Sequence, residues 1–225
     1  MKKFYAAHGW KPFPSSHITL PASRIPLKAP SATSARPLYA HELAELCAFD
    51  EKLVCQRLAK VPADKTAVAL VPNIESVRWH HAREEFVANE LFGDKPEIKG
   101  AIVDSLPGQR VWCYWTRFWH NKNPRESKGN QLIILRLVVE DAENASRYVN
   151  DITALFIHAL GQAASWSMEE VMTWNPTSEV VAAARNIKPE ADVIDRDMDS
   201  IASLRWYGRP DEKVEWVGNE KYGWC

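Results

Sequence analysis

The chain has 225 residues, of which 46% are hydrophobic and 25% charged, and its formal net charge is −1 at pH 7. This length fits one or two domains, and the near-neutral charge argues against a nucleic-acid partner, which normally requires a basic face. The longest apolar run is far shorter than the roughly 18 residues of a membrane span, and no signal-peptide core follows Met1. We therefore expect neither secretion nor membrane insertion.

The four cysteines have neither the CxxC spacing of a metal or redox motif nor the density of a disulfide scaffold. We therefore expect reduced thiols and a cytoplasmic location. These cysteines are Cys47, Cys55, Cys113 and Cys225.

The first ten residues predict the end of a helix followed by the start of a strand. Phe4-Tyr5 is followed, after three residues, by Gly9-Trp10. Glycine is typical of the position just past a helix C-terminus, and an aromatic residue then suits a strand. Because this pattern begins within five residues of Met1, we expect residues 1–10 to be the last part of a domain whose earlier elements are absent.

Residues 11–37 contain six prolines. Proline removes a backbone donor and disfavours helix in the residue before it, so we expect an extended connector. Spaced apolar residues would pack this connector against the rest of the chain, and a disordered linker is the alternative. The apolar residues are Phe13, Ile18, Leu20, Ile25 and Leu27.

Residues 38–225 form the predicted body of the protein. Apolar residues recur at helical spacing across Leu38–Val61, where Asp50 can cap a second helix, so we expect two helices or one bent helix. Thr66–Val71 is predicted to be a short strand. Ile74–Phe92 is predicted to be a helix, with several apolar residues on or near one face. These are Trp79, Ala82, Phe86 and Leu91.

Two further strands and a helix are predicted in the middle of the body. Arg110–Trp119 is rich in aromatic residues, and Leu132–Val139 is a continuous branched-apolar run typical of a central, buried strand. Tyr148–Trp166 carries an apolar stripe at helical spacing, which predicts an amphipathic helix packed on the sheet.

The last third of the chain continues this alternation. Glu170–Trp174 is a predicted strand, and Asn175 and Pro176 suit the N-cap and first position of a helix that runs to Arg185. Ile201–Tyr207 is a predicted late strand. The order of elements favours a mixed sheet flanked by helices, of the α+β or α/β class.

Several of these segments resemble the GNAT superfamily of N-acyltransferases. There, a helix carrying Phe-Tyr ends just before a strand that starts with Gly-Phe or Gly-Trp, as Phe4-Tyr5 and Gly9-Trp10 do here. Further segments make nearly the whole chain similar to the C-terminal region of fungal lysine N-acetyltransferase-like proteins. They are Trp79–Phe86, Ile133–Glu140, Trp174–Pro176, Ser203–Gly208 and Val214–Cys225.

The resemblance implies that residues 1–10 are the remnant of a first GNAT core, and that residues 38–225 are a degenerate GNAT-like lobe. It implies acetyl transfer from acetyl-CoA to the ε-amine of lysine in the complete protein, with Tyr5 protonating the departing thiolate. The chain departs from the family because the core with its acetyl-CoA loop is absent. We therefore expect it to be inactive alone, and we expect the missing core or another protein to meet its interlobe face.

The body also lacks a phosphate-binding loop at the equivalent position. Acetyl-CoA pyrophosphate is held by backbone N–H groups of a glycine-containing loop at a helix N-terminus. The equivalent connection here, Glu140–Arg147, has no glycine and three carboxylates. We therefore expect this chain alone to bind no cofactor, although the complete family protein uses acetyl-CoA.

Two arginines in predicted strands are candidates for binding a substrate carboxylate. A free amino acid is best recognised by a bidentate arginine. Arg136 interrupts a buried apolar run and Arg117 lies in the aromatic strand, so each must meet an acid, either in the protein or in a ligand. We favour protein partners and keep the substrate as the alternative. The other candidate substrate contacts are His81, Trp112 and Trp115.

The densest polar cluster is the run from His80 to Glu85 in the predicted helix. His80 is one turn from Glu84, and His81 is one turn from Glu85, which suits side-chain pairing. Adjacent histidines diverge by about 100° around a helix, so they do not match the i, i+4 pair of zinc helices. We expect no metal site and favour a solvated, ion-paired face. The wall of a groove facing the missing lobe is the second interpretation.

Three functions remain open on this sequence. The chain is either part of a lysine acetyltransferase that needs its GNAT core, a non-catalytic protein-interaction module, or a small-molecule-binding domain with a tryptophan-lined cavity. Other catalytic motifs are absent: the chain contains no Gly-x-Ser-x-Gly elbow, no phosphate loop and no dinucleotide fingerprint. The aromatic segment Trp216–Cys225 is predicted to pack on the body as a tail.

Overall fold

The computed structural model describes residues 2–23, 35–123, 126–197, 200–209 and 212–224. The α-helices are α1 (Lys2–Ala7), α2 (Leu43–Ala59), α3 (Ile74–Phe92), α4 (Val149–Ser165) and α5 (Ser178–Ile187). The strands are β1 (Lys11–Pro12), β2 (Ser16–Pro21), β3 (Arg36–Tyr39), β4 (Thr66–Val68), β5 (Ile98–Val103), β6 (Val111–Phe118), β7 (Gln131–Val139), β8 (Glu170–Trp174), β9 (Ile194–Asp195), β10 (Ser203–Leu204) and β11 (Val214–Trp216). Short 3₁₀ helices span Ala142–Tyr148 and Lys221–Gly223.

Seven of the described strands form one mixed sheet in the order β3-β5-β6-β7-β8-β2-β9. Neighbouring strands are antiparallel except β7 and β8, which are parallel. The sheet is flanked by helices, so the predicted fold class is confirmed. Strand β7 lies at the centre, as its continuous apolar run predicts for a strand covered on both faces.

Helix α4 is the crossover between the parallel strands β7 and β8, a connection too long for a hairpin. Its predicted apolar stripe is buried: Ile152, Phe156 and Ala159 are all at most 1% exposed. The stripe packs with α5 on one face of the sheet, where it meets Ile18 and Leu132 in the larger hydrophobic core.

The opposite face carries α2, the first half of α3 and the C-terminal residues. Leu43 of α2 and Val77 of α3 pack here against Trp112 and Tyr114 of β6. Tyr222 belongs to the same core and is 2% exposed. The C-terminal aromatic segment therefore packs on the body, as predicted, and we call residues 217–224 the C-terminal strap.

Helix α3 covers an edge of β6 that none of the described strands covers. Strand β5 pairs with β6 only along Val111–Tyr114. Beyond that point the imidazole Nε2 of His81 donates to the carbonyl of Trp115 at 3.0 Å, and the hydroxyl of Thr116 donates to the carbonyl of His80 at 3.4 Å. These bonds satisfy backbone and side-chain groups that would otherwise be buried without partners.

The N-terminal residues form a helix and then one strand of a separate, two-stranded sheet. Helix α1 ends at Ala7, Gly9 adopts a left-handed conformation with φ of 79°, and β1 then pairs with β10. The predicted passage from helix end to strand is thus confirmed. Within the predicted connector, Ser16–Pro21 forms β2 of the main sheet, with Ile18 and Leu20 buried. The other predicted anchors Ile25 and Leu27, like Cys225, lie outside the described residues.

Two predicted helix caps are wrong, because each residue has a stronger partner elsewhere. Asp50 lies inside the single helix α2, where its buried carboxylate binds Arg136. Asn175 has a φ of 45° and accepts a hydrogen bond from the backbone N–H of Ser16, so Thr177 caps α5 instead.

Two of the predicted strands are shorter in the structure than in the prediction. Of the predicted strand Ile201–Tyr207, only Ser203–Leu204 pairs with another strand, and only Thr66–Val68 pairs within Thr66–Val71. Strand β5 was missed because glycine and lysine interrupt its apolar residues. The helix predicted at Ile74–Phe92 is confirmed, and it ends at Gly93 with a φ of 69°.

Candidate functional site

A cavity of about 480 Å³ lies on the face of the sheet that carries the C-terminal strap, within the range of small-molecule sites. Its floor comes from three adjacent strands. Ile133 of β7 is in register with Met172 of β8, and Trp174 of β8 is in register with His17 of β2. Since alternate residues of a strand share a face, these four side chains lie together.

Two cations stand over aromatic rings in this cavity. The guanidinium carbon of Arg196 lies 3.4 Å from the ring centroid of Trp174, and the ammonium of Lys221 lies 4.8 Å from the same centroid. Lys221 is also 5.6 Å from the ring centroid of Phe118. Lys221 is only 6% exposed, so its positive charge lies in the interior of the cavity. Such stacking stabilises both cations.

His17 adds a polar atom to the cavity. Its Nδ1 is buried and has no hydrogen-bond partner in the part of the chain that the structure describes. Burial, and then the nearby charge of Arg196, lower the pKa of His17 below its ordinary value, so the imidazole is neutral at pH 7. A neutral imidazole offers one donor and one acceptor, and buried polar atoms are normally hydrogen-bonded. This atom is therefore a natural contact for a ligand.

A second space opens between β7 and β8, because the two strands separate. Leu135 is an extra residue in β7: Ile134 pairs with Trp115 and Arg136 pairs with Tyr114. Such a β-bulge bends its strand, and the pairing of β7 with β8 ends at Ile134 and Thr173. The resulting crevice of about 220 Å³ lies at the carboxyl ends of the parallel strands, the usual place for a ligand in such sheets.

The C-terminal strap inserts a carboxylate into this crevice. Glu220 accepts a hydrogen bond from the backbone N–H of Leu137 at 3.0 Å, and its other oxygen accepts one from the guanidinium of Arg136. Burial raises the pKa of Glu220 although Arg136 opposes the shift. The strap is also held by Tyr222, whose hydroxyl donates to the carbonyl of Leu70 at 2.5 Å.

The family of the chain follows from a match over almost its whole length. A family model described as the LYC1 GNAT-like C-terminal domain matches residues 17–225. The chain belongs to this family. The resemblance to the C-terminal region of GNAT-superfamily proteins is thus confirmed.

Two solved structures are similar to this LYC1 GNAT-like domain. One is a GCN5-related N-acetyltransferase from Anabaena variabilis, with 11% identity and a TM-score of 0.46, matched over 88% of this chain and 42% of that one. The other is a GCN5-related N-acetyltransferase from Kribbella flavida, with 14% identity and a TM-score of 0.41, matched over 87% and 40%. The domain thus spans less than half the length of either protein. No curated protein matches the chain significantly.

The two arginines singled out in the sequence of this GNAT-like domain are both bound to protein carboxylates. Arg136 binds Asp50 and Glu220. Arg117 donates to Glu84 at 2.6 Å and to the amide oxygen of Gln162 at 2.8 Å. The expectation of protein partners is therefore confirmed, and the two arginines belong to separate buried networks.

The remaining candidate residues do not come together in one place. Trp112 and Trp115 are fully buried, but they belong to different hydrophobic cores on opposite faces of the sheet. His81 is bonded to the edge of β6. Tyr5 lies on α1 and is 45% exposed, with its ring in edge contact with Trp10.

The expectation of a solvated polar face on α3 is wrong. His80, His81 and Glu84 are at most 6% exposed, whereas Trp79 is 49% and Phe86 is 69% exposed. The polar side chains are buried because the sheet edge and the Arg117 network supply hydrogen bonds and charges for them. The interpretation as a solvated face assumed that apolar residues would take the core side.

The residues that build the cavity and close the crevice were missed in the sequence. Arg196 lies in a polar segment without hydrophobic periodicity, and Glu220 and Lys221 lie in the C-terminal strap. The only signal was the position of Trp174 at the end of a strand that follows a crossover helix, since such strand ends border ligand sites.

Candidate metal ligands do not cluster in the described part of the domain, and two of its three free cysteines are buried. Within residues 2–23, 35–123, 126–197, 200–209 and 212–224, no group of three His, Cys, Asp or Glu side chains could hold a metal ion. Cys47, Cys55 and Cys113 are free thiols, and burial raises the pKa of Cys47 to about 11 and that of Cys113 to about 12. Neither buried thiol is a nucleophile at pH 7. None of the described helices is long and apolar enough to cross a membrane.

Proposed function

We propose that this LYC1 GNAT-like domain is the lobe of an N-acetyltransferase that does not bind the cofactor. In the complete protein, a preceding GNAT core binds acetyl-CoA, and the acceptor is the ε-amine of lysine. The observation that carries the proposal is the carboxylate of Glu220 in the crevice between β7 and β8.

The residues at this crevice do not fit acetyl-CoA. The backbone N–H of Leu137 already donates to Glu220, so it is not available to a ligand in the crevice. The neighbouring connection Glu140–Arg147 contains no glycine, so it offers no flexible run of N–H groups for a pyrophosphate. The carboxylate of Glu220 in the crevice would repel phosphates placed beside it. The cofactor therefore belongs to another lobe.

Tyr5 supports a role for residues 2–10 at the junction with that core. Its side chain is 45% exposed, on a helix joined to the rest of the domain through the β1–β10 pair. An exposed phenol in this position is accessible to groups on a preceding core, where it can donate a proton to a departing thiolate. The position of the helix end before a glycine and a strand matches the resemblance from which this role was inferred.

A second candidate function is protein binding, favoured by the outer face of α3. Trp79 and Phe86 lie seven residues apart on this helix, hence on one face, and both are largely exposed. Arg83, between them, stacks on Phe118 at 4.3 Å. Aromatic residues exposed together on one helix are typical of a protein interface. In the complete enzyme this face would meet the core, and alone it would meet another protein.

The test compares this chain with a longer protein that includes the preceding core. Calorimetric titration with acetyl-CoA should give no binding to the chain and saturable binding to the longer protein, which should acetylate L-lysine at its ε-amine. In the longer protein, Tyr5→Phe should lower kcat by about 10²-fold or more, a typical effect of losing a general acid, while acetyl-CoA still binds. Binding of acetyl-CoA to the chain alone would contradict the proposal, and so would a longer protein that leaves lysine unmodified.

A further inference from the structure

We propose that residues 219–222 of the C-terminal strap are a hinged lid, which separates the crevice from the larger cavity and joins the two spaces when it lifts. Neighbouring residues of the strap line different spaces, since Glu220 lines the crevice and Lys221 lines the cavity. Trp174, at the end of β8, lines both. The strap is therefore the partition between them, and its movement would open one groove that passes Trp174. The inference goes beyond the proposed function, because it concerns a movement of this chain and no reaction.

A glycine lies at each end of the lid. Gly218 has a φ of 64°, in the left-handed region that favours glycine, and Gly223 follows Tyr222. Just before the first glycine, the backbone N–H of Val217 donates to the carbonyl of Val68 at 2.8 Å, which fixes the strap to β4. Hinges are a few residues that absorb a change in backbone angles, and glycine has the widest range of such angles. The two glycines therefore allow the residues between them to turn as a unit while Val217 stays in place.

The groups that hold Glu220 keep partners when the lid lifts. Its carboxylate accepts hydrogen bonds from the guanidinium of Arg136 and the backbone N–H of Leu137. Arg136 retains its two bonds to Asp50, each of 2.7 Å, so no buried cation is left without a partner. The crevice of about 220 Å³ has room for water, which can accept from the N–H of Leu137. Opening therefore leaves no polar group of the sheet unsatisfied.

Tyr222 is the anchor that keeps the lid closed in the ground state. It is 2% exposed, and its hydroxyl donates to the carbonyl of Leu70 at 2.5 Å. Its own backbone carbonyl accepts from Nε2 of His80 at 3.2 Å. Withdrawing this ring from the core has a cost, so the open form is a minor state. The proposed function depends on the closed form, and it is tested with ligands that the following experiment does not use.

The experiment is native-state hydrogen exchange of the 225-residue chain, followed by NMR at low urea concentrations. The N–H of Leu137, whose acceptor lies on the lid, should be at least about tenfold less protected than the N–H of Cys113, which lies between β5 and β7. The reason is that a local opening requires less free energy than global unfolding. The exchange of Leu137 should also depend little on urea, since the lid exposes little surface. The N–H of Val217 should stay more protected than that of Leu137.

Two results in the wild-type chain would overturn the proposal. If Leu137 and Cys113 show the same protection and the same urea dependence, the strap opens only when the domain unfolds. If Val217 is as weakly protected as Leu137, the whole tail frays and the glycines are not hinges.

Gly218→Ala tests the first hinge. Alanine disfavours the positive φ that the closed lid needs, and an added Cβ atom would lie no closer than 3.5 Å to its neighbours, so the change strains the backbone without a clash. Because lifting the lid frees this angle, the protection of Leu137 should fall about fivefold. Wild-type protection of Leu137 in this variant would refute the hinge.

The matched control is Gly108→Ala, which strains a φ of 89° in the loop before β6, outside the lid. This strain persists when the lid lifts and is relieved only by global unfolding. The control should therefore lower the protection of Cys113 and leave that of Leu137 unchanged. An equal fall at both N–H groups would show that Leu137 exchanges only through global unfolding, and it would refute the lid.

Discussion

Arg136 and Asp50 form a bidentate ion pair between the central strand β7 and helix α2, with Nε–Oδ2 and Nη2–Oδ1 distances both of 2.7 Å. Asp50 is wholly buried and Arg136 is 2% exposed. The third member, Glu220, ties the C-terminal strap to the same guanidinium. Helix α2, strand β7 and the C-terminal strap are far apart in sequence, and the guanidinium of Arg136 therefore links all three.

Asp50→Asn should lower the free energy of unfolding by about 3 kcal/mol, because removing one partner leaves a buried charge uncompensated. Glu220 still binds Arg136, so the loss should be smaller than for a pair with no other partner. Urea denaturation at pH 7 measures it. The control is Asp64→Asn, at an exposed residue in the loop before β4, which should change stability by less than about 0.5 kcal/mol. A similarly small loss in Asp50→Asn would mean that the pair contributes little.

Acid should destabilise the domain through His80. Burial lowers the pKa of His80 to about 4, from an ordinary value of 6.5. Between these values the unfolded chain binds more protons than the folded one, so stability falls as pH decreases from 6.5 towards 4. This one group should contribute about 2 kcal/mol of loss between pH 7.5 and pH 5.

The test uses His80→Gln, in which an amide N–H can still donate to the carbonyl of Tyr222, the present partner of His80 Nε2 at 3.2 Å. The difference in unfolding free energy between pH 7.5 and pH 5 should be smaller in this variant than in the wild type. His41→Gln, at an exposed histidine, should keep the wild-type difference. An unchanged pH dependence in His80→Gln would mean that other groups cause the loss of stability at low pH.

Part of the buried polar structure could be predicted from the sequence, and part could not. Arg136 within an apolar strand required an acid, and that expectation is confirmed by Asp50 and Glu220. The choice of partner was not predictable, because Asp50 lies 86 residues away and its position also suited a helix cap. Helix propensity and capping are local, whereas a buried ion pair depends on tertiary packing.

The same limit explains the cavity. Trp174 and His17 are neighbours only because β2, near the start of the chain, pairs with β8. The connector prediction treated residues 11–37 as outside the body, so it could not bring His17 to the sheet. Local sequence patterns predicted the bounds of α3, α4 and β8 to within about one residue. Hydrophobic periodicity and glycine at a helix end are short-range signals, so they can be read from neighbouring residues alone.

Gly100 should tolerate no side chain. A Cβ atom at this residue would lie 2.3 Å from the carbonyl oxygen of Cys113 and 3.1 Å from the Cα of Tyr114, both backbone atoms of β6. Gly100→Ala should therefore force β5 and β6 apart and lower the free energy of unfolding by about 2 kcal/mol or more, as overpacking of a core does.

The matched control is Gly161→Ala in α4, where nothing lies within 4 Å of the added Cβ atom. That change should be neutral or should stabilise the helix by up to about 1 kcal/mol. Thermal and urea unfolding compare the two, and equal stabilities would mean that the strands can separate at little cost.

Trp79 and Phe86 should make the isolated chain associate with itself. Their exposed rings lie on one face of α3, beside Arg83, and an apolar patch of this kind rarely remains uncovered in a monomer. Light scattering at rising protein concentration should give a mass above that of a monomer, and the double change Trp79→Ser and Phe86→Ser should restore the monomer.

The control, Leu106→Ser, removes an apolar side chain that is 71% exposed in a loop, and it should leave the association unchanged. If the wild type stays monomeric at about 1 mM, a concentration high enough to populate weak complexes, the outer face of α3 is not an association surface.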